Sequence, residues 1–178
     1  MIRLNKYISN SGVCSRREAD VLIAEGKIKI NNKVVTTLGT KVAEQDEVVY
    51  NGKILKAEKH QYILINKPKN CITTVKDTHD RKTVMDIIEG ACDQRVYPVG
   101  RLDRDTTGLL LLTNDGELTK RLTHPSFGIK KKYVIQLENS IHPDCLKEMV
   151  NGINLEDGEV KYDEVKYGRQ QTDRTQLI

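Results

Sequence analysis

The sequence predicts an α+β fold in which short helices and short strands are intermixed. Apolar residues recur at helical spacing (i, i+3, i+4) in some segments, and in alternating or short continuous runs typical of strands in others. These segments do not follow the regular strand–helix–strand order of a doubly wound fold, so we expect a mixed or antiparallel sheet. A chain of 178 residues has room for one or two small domains.

The first predicted domain spans residues 1–58 and combines two short helices with a small sheet. Its first helix carries apolar residues at helical spacing, namely Leu4, Tyr7 and Ile8. Ser15 and Glu18 have the spacing of a capping box that begins the second helix, and Gly26 marks its end. Short strands then flank Asn-Asn and Asn-Gly turns, at residues 27–30 with 33–35 and 48–50 with 54–55.

The second predicted domain spans residues 62–178 and follows a polar linker at 56–60. We expect strands at five apolar segments, residues 62–66, 71–75, 96–99, 109–113 and 132–137. We expect helices at three segments with helical periodicity, one from Thr83, one over 115–123 and one near 143–150. The remaining tail has a less regular pattern.

Positive charge is concentrated at the start of the chain. Residues 1–35 carry seven Lys and Arg against three Asp and Glu, while the whole chain has a net charge of +4. Such a one-sided segment predicts a surface for a polyanion, with nucleic acid as the first candidate. No apolar stretch approaches the roughly 18 residues of a membrane span, so we expect no membrane partner.

Several cofactor classes are excluded by missing motifs. The chain has neither the GxxxxGK[ST] nor the GxGxxG pattern of nucleotide and dinucleotide sites. No CxxC pair occurs and the four histidines lack ligand spacing, so we expect no metal. We interpret the four cysteines as reduced thiols of a cytoplasmic protein, and we expect no small-molecule cofactor.

Arg16 and Arg17 fall in the first turn of the second predicted helix. They are either solvated charges or, together with the helix start, a site for a phosphate. Residues 3–35, RLNKYISNSGVCSRREADVLIAEGKIKINNKVV, resemble the small RNA-binding domain named after ribosomal small-subunit protein four. The resemblance implies RNA binding, for which the candidate residues are the cations of this segment, Arg3, Lys6, Arg16, Arg17, Lys27 and Lys33.

A charged loop lies between two apolar strands in the stretch GRLDRDTTGLLLLTNDG, residues 100–116. Asp103 has Arg101 and Arg104 close by in sequence, and nearby positive charge keeps a carboxylate ionised for use as a nucleophile or electrostatic stabiliser. The alternative is a solvated turn whose ion pairs contribute almost nothing. A glycosidase-like pair with Asp105 is less favoured, because two positions in a loop do not fix the separation that such chemistry needs.

This stretch resembles the catalytic motif of ribosomal-RNA pseudouridine synthases that carry the N-terminal RNA-binding domain described above. The resemblance extends over most of the chain, through residues 62–75, 81–88, 95–100, 122–137 and 152–158. It implies isomerisation of a uridine in ribosomal RNA or a ribosomal assembly intermediate, leaning toward large-subunit (23S) RNA, without a cofactor.

The family's motifs also imply roles for three residues. Asp103 corresponds to the catalytic aspartate of the GRLD stretch. Tyr133, in KKYVI, corresponds to a tyrosine that contacts the target base and is a proposed proton acceptor; the alternative is an ordinary strand aromatic. Arg101 would bind backbone phosphate or fill the space left by the flipped base.

One departure from the family bears on activity. Family members carry a further basic motif of the form GKNRQVRR, whose cation pairs with the catalytic aspartate, whereas this sequence ends at residues 175–178. We therefore expect a catalytic domain that lacks its C-terminal part. The alternative function is a non-catalytic RNA-binding or ribosome-assembly protein that retains the synthase scaffold.

Overall fold

A computed structural model describes residues 1–156, 158–168 and 174–178. The chain forms two compact units, Met1–Phe127 and Gly128–Ile178. Within the described residues, every helix is too short or too polar to cross a membrane.

The N-terminal part of the first unit has two helices and six short strands. These are β1 (Ile2–Arg3), α1 (Leu4–Asn10), α2 (Arg16–Ala24), β2 (Ile28–Ile30), β3 (Lys33–Val35), β4 (Lys41–Val42), β5 (Val48–Tyr50) and β6 (Lys53–Ile54). Four strands form an antiparallel sheet in the order β3-β2-β5-β6, and β1 pairs with β4. The predicted helices and both hairpins are confirmed.

Local chemistry explains where these elements begin and turn. The Ser15 hydroxyl accepts the Glu18 backbone N–H, and the Glu18 carboxylate accepts the Ser15 N–H, which is the predicted capping box. The Asn31-Asn32 turn has positive φ at both residues, as a tight two-residue hairpin requires. Eight buried apolar side chains join helices and sheet in one core: Leu4, Ile8, Ala19, Ile23, Ile28, Val42, Val48 and Leu55.

The rest of the first unit is built on a three-stranded antiparallel sheet. Its elements are β7 (Tyr62–Lys67), α3 (Val84–Ile87), β8 (Tyr97–Pro98), β9 (Gly108–Thr113) and α4 (Gly116–Thr123), followed by a 3-10 turn at Pro125–Phe127. The strand order is β7-β9-β8, with β7 and β9 paired from Tyr62↔Thr113 to Lys67↔Gly108. A second core lies against this sheet and contains Cys71, Val84, Ile88, Val96, Leu110 and Leu112.

The predicted strand at 71–75 is wrong. The segment makes one isolated bridge, between Ile72 and Thr83, and no ladder. Its backbone is satisfied by loops instead, since the Cys71 N–H donates to the Arg104 carbonyl oxygen at 3.3 Å. The apolar run reflects burial of Cys71 in the core and not a place in the sheet.

The second unit contains β10 (Ile135–Gln136), α5 (Pro143–Asn151), β11 (Ile153–Leu155), β12 (Gly158–Val160) and β13 (Gln176–Leu177). β10 pairs with β13 and β11 pairs with β12, both antiparallel. The prediction of a strand over 132–137 is too long, because β13 offers ladder partners only to residues 135 and 136. The tail is also more regular than predicted, since it includes the β11–β12 hairpin.

Candidate active site and RNA interface

Lys67 is a lysine whose side chain is completely buried at the end of β7. Its ammonium group donates to the carbonyl oxygens of Pro68 (3.0 Å), Arg104 (3.0 Å) and Thr106 (2.8 Å). All three ammonium N–H groups therefore have acceptors, as a buried cation requires. Two of the three acceptors belong to residues 100–107, the segment between β8 and β9 that we call the Asp103 loop.

Thr73 fixes the same loop from the other side. Its hydroxyl donates to the Leu102 carbonyl oxygen at 2.7 Å and accepts from the Leu102 backbone N–H at 3.2 Å. Both backbone groups of the residue before Asp103 are thus held by one side chain. Within the loop, the Thr106 N–H donates to the Asp103 carbonyl oxygen at 3.2 Å and closes a turn. The backbone of Asp103 is anchored on both flanks.

The side chain of Asp103 is exposed, and so are those of Arg101 and Arg104. Arg104 turns toward Asn70, whose side-chain oxygen accepts a hydrogen bond from the guanidinium at 3.3 Å. Among the described residues, no Lys, Arg or His forms an ion pair with Asp103. The sequence predicts cations beside this carboxylate, but neither arginine of the loop pairs with it.

Lys67 and Thr73 are site residues that the sequence reasoning missed. A signal for Lys67 exists, because side chains alternate along a strand and Lys67 continues the inward-facing positions of Ile63 and Ile65. A lysine at such a position must find acceptors inside the protein. Thr73 has no comparable signal, since its partner Leu102 is 29 positions away.

Tyr133 lies in the second unit, three residues after Lys130 and outside β10. Its side chain is 50% exposed. It lines a groove of that unit together with lysines and apolar residues. The sequence predicts that Tyr133 lies within a strand, whereas the structure places it before β10 with its ring accessible.

The start of α2 presents Arg16 and Arg17 to solvent. Arg16 makes a long contact of 3.5 Å to the side-chain oxygen of Asn5. The Glu18 carboxylate is also at this helix start, where hydrogen bonds from Ser15 hold its pKa below the ordinary value. Because Glu18 takes the Ser15 N–H, phosphate binding here would depend on the two guanidinium groups more than on the helix end.

The remaining candidate cations differ in their partners. Lys27 pairs with Glu25 at 2.7 Å, and that contact raises the pKa of the lysine. Lys6 pairs with Glu117 in the first turn of α4. Arg3 and Lys33 are exposed, and neither forms an ion pair within the described parts of the chain.

Asp115 begins α4 and ties it to the start of β7. Its carboxylate accepts the backbone N–H groups of Glu117 and Leu118, each at 3.0 Å, and the Tyr62 hydroxyl at 3.0 Å. His60 lies 3.4 Å from the same carboxylate. The Leu118 N–H is the largest cause of a lowered Asp115 pKa, opposed by partial burial and supported by Tyr62.

The structure contains no group of three or more His, Cys, Asp or Glu side chains placed to hold a metal, over the residues that it describes. The four cysteines are free thiols. Burial is the main cause of a raised pKa at Cys14 and Cys71, so neither thiol is activated as a nucleophile.

Comparison with protein families gives two matches in sequence order. Residues 2–48 match the S4 domain, and residues 61–177 match the RNA pseudouridylate synthase family. The second match includes the Asp103 loop, Lys67 and Tyr133.

Individual relatives agree with these matches. The ribosomal large subunit pseudouridine synthase B of Bacillus subtilis is 46% identical over 158 residues, which are 89% of this chain and 64% of the relative. An uncharacterized RNA pseudouridine synthase of Aquifex aeolicus is 44% identical, over 99% of this chain and 71% of the relative. The chain thus spans about two thirds of the length of these curated relatives.

A solved structure supports the same assignment. The crystal structure of a pseudouridylate synthase superimposes with a TM-score of 0.60 at 28% identity, over 99% of this chain and 75% of that chain. With a family match over residues 61–177 and relatives at this level of identity, the chain belongs to the RNA pseudouridylate synthase family and carries an S4 domain at its N-terminus.

Proposed function

We propose that this chain converts a uridine of ribosomal RNA, of the large-subunit (23S) type, to pseudouridine. The observation that carries this proposal is the Asp103 loop, which lies within the family match. Its carboxylate is accessible to solvent, and its backbone is held by hydrogen bonds from Lys67 and Thr73. The name of the Bacillus subtilis relative supports the large subunit as the source of the substrate. The domains proposed for binding and catalysis are residues 1–58 and 62–178.

The reaction rearranges the nucleotide without oxidation or hydrolysis. The bond between sugar C1′ and base N1 breaks, the base turns, and a bond forms between C1′ and base C5. The C5 proton is removed and N1 gains a proton, so substrate and product are isomers. The protein must stabilise a sugar that loses its base, hold the detached base, and keep water from the sugar.

Asp103 is proposed as the catalytic residue of the first step, attacking or stabilising C1′ as the base leaves. Such a role requires a carboxylate whose position is fixed before the substrate arrives. Lys67 and Thr73 contribute to this by holding the backbone on either side of Asp103. Both the covalent route and a route through a glycal use the carboxylate at this place.

Tyr133 and Arg101 are proposed to contact the substrate. A half-exposed tyrosine ring can stack on an unpaired base, and its phenolic oxygen is the proposed acceptor of the C5 proton. Arg101, exposed on the Asp103 loop, is proposed to bind backbone phosphate or to occupy the space that the flipped base leaves.

The S4 domain is proposed to hold the ribosomal RNA or an assembly intermediate through its cations. Arg3, Arg16, Arg17 and Lys33 are exposed and are our first candidates for phosphate contacts. Lys6 and Lys27 are secondary candidates, because carboxylates of the protein already neutralise them. Free cysteines favour a reducing compartment, so we place the reaction in the cytoplasm.

The test is tritium release from undermodified ribosomal RNA labelled at uridine C5. The chain should release tritium, and Asp105→Asn in the Asp103 loop should retain release. Asp103→Asn should lose release by at least about a thousandfold, because the carboxylate that attacks or stabilises C1′ is gone. Release that persists in Asp103→Asn contradicts the assigned mechanism. Absence of release with retained RNA binding would mean that these 178 residues recognise RNA without catalysing the isomerisation.

A further inference from the structure

A basic groove of about 750 Å³ lies within the unit Gly128–Ile178. This volume is in the range of sites that enclose small molecules or parts of larger ligands, roughly 300–1,000 Å³. Five lysines line it against two carboxylates, Asp163 and Glu164; the lysines are Lys130, Lys131, Lys132, Lys161 and Lys166. The lining therefore favours an anionic ligand.

Little of this positive charge is neutralised within the protein. Lys166 pairs with Glu164 at 2.6 Å, and none of the other four lysines has an ion pair among the described residues. The hydrogen bond from Lys166 is the main cause of a lowered Glu164 pKa, and the charges of Lys130 and Lys132 lower it further. Lysines from the two segments 130–132 and 161–166 therefore both stabilise the negative charge of the Glu164 carboxylate.

The groove also exposes two aromatic rings. Tyr133 is 50% exposed and Tyr162 is 44% exposed, and both line the groove. The Tyr162 backbone N–H donates to the carbonyl oxygen of Met149 at 3.2 Å, which holds this tyrosine against the end of α5. An accessible aromatic ring on an anchored backbone, set among lysines, is the arrangement by which proteins bind single-stranded nucleic acid.

We propose that this groove binds the single-stranded RNA next to the target uridine, with Tyr162 as a stacking platform for a base and Lys161 and residues 130–132 as phosphate contacts. The proposal rests on the proposed function, because that function assigns Tyr133, on the same groove, to the target base. It adds a contact to a neighbouring nucleotide, and it explains why a second exposed aromatic ring stands among the lysines. A ligand with phosphates but no bases would contact the lysines and make no stacking contact with the Tyr162 ring.

The first test measures binding of a short, fluorescently labelled, uridine-rich single-stranded RNA by anisotropy. It uses the full 178-residue chain with Arg16→Ala and Arg17→Ala, so that the S4 domain contributes less. Tyr162→Leu should weaken binding about tenfold because one base loses its stacking partner, whereas Tyr162→Phe should bind as the parent does. Lys161→Ala should reduce the dependence of log affinity on log salt by about 0.7. Lys147→Ala, an exposed lysine on α5 that does not line the groove, is the control and should leave that slope unchanged.

The second test needs no variant and so does not depend on folding of Tyr162→Leu. The same RNA, with 4-thiouridine in place of uridine, is bound to the wild-type chain and the complex is irradiated. Crosslinked peptides are then identified after trypsin digestion. Cleavage after Lys161 and Lys166 isolates residues 162–166, so a crosslink there marks this side of the groove. Unchanged binding by folded Tyr162→Leu, or no crosslink in this peptide, overturns the proposal.

A base-free competitor separates RNA recognition from simple anion binding. Polyphosphate should compete through the lysines, and its affinity should not respond to Tyr162→Leu. If RNA and polyphosphate respond equally to every variant, the groove is an anion site only and the proposal is wrong. Failure of the proposed function gives a different result: a crosslink at 162–166 without tritium release contradicts isomerisation and leaves the RNA contact standing.

Discussion

The ammonium group of Lys67 lies 2.8 Å from the carbonyl oxygen of Thr106, which is 39 positions later in the sequence. This contact joins the last residue of β7 to the Asp103 loop, and the bond from Lys67 to Arg104 reinforces it. Side chains of the loop such as that of Asp103 are exposed, whereas its backbone carbonyl groups accept hydrogen bonds from Lys67. Its shape therefore depends on one completely buried cation.

Replacing this cation should damage stability and chemistry together. Lys67→Met keeps the length and the apolar stem but leaves three carbonyl oxygens without a charged donor, so we expect the free energy of unfolding to fall by about 3 kcal/mol. Urea unfolding measures this loss. In the folded fraction, tritium release should show a lower kcat with little change in KM, because RNA binding does not involve the buried lysine. Lys69→Met, an exposed position two residues on, should change neither quantity.

Thr73→Val removes the hydroxyl that both donates to and accepts from Leu102. The two side chains have nearly the same shape, so the effect isolates the hydrogen bonds. We expect a loss of about 1–3 kcal/mol in the free energy of unfolding, since two backbone groups lose their partner. Thr107→Val, at an exposed threonine of the Asp103 loop, is the matched control. Equal unfolding curves for the two variants would remove Thr73 from the support of the loop.

Arg16 and Arg17 provide a test of the S4 surface. Changing both to alanine should weaken binding of structured ribosomal RNA and reduce the salt dependence by about two phosphate contacts, roughly 1.4–1.8 in the slope of log affinity against log salt. Filter binding between low and moderate salt measures this slope. Lys6→Ala should alter it much less, because Glu117 already neutralises that lysine. An unchanged slope in the double variant would exclude these arginines from the RNA interface.

Asp115 predicts a dependence of stability on pH. Its pKa is lowered in the folded state, so its carboxylate stabilises the fold above its unfolded pKa of about 3.9, and that stabilisation is lost as the pH falls through the folded pKa. Asp115→Asn keeps a good helix cap and removes the titration. The stability difference between wild type and this variant should therefore be larger at pH 6 than at pH 3. Urea unfolding at both pH values measures it, and a constant difference would contradict the assignment.

The parts of the fold that follow from neighbouring residues could be predicted from the sequence. The Ser15–Glu18 capping box and the Asn31-Asn32 and Asn51-Gly52 turns depend only on residues two or three positions apart, and each is observed. The same holds for the start of α4 at Asp115. Local chemistry sets these features, whatever packs around them.

The features that depend on distant partners could not be predicted in this way. Residues 71–75 have the apolar pattern of a strand, yet their backbone partners come from Lys82 and Arg104. The exposed position of Tyr133 likewise follows from the short pairing of β10 with β13. For the site, the sequence located the Asp103 loop and gave no indication that Thr73 holds it.

The ammonium group of Lys67 donates only to backbone carbonyl oxygens, and every amino acid has a backbone carbonyl group. The shape of the Asp103 loop therefore depends little on which side chains stand at its exposed positions 101 and 105. Substitutions at such positions should change the charge around Asp103 without rebuilding the loop. The backbone of the loop and the charge on its surface can therefore be varied separately, by keeping Lys67 and Thr73 and randomising positions 101 and 105.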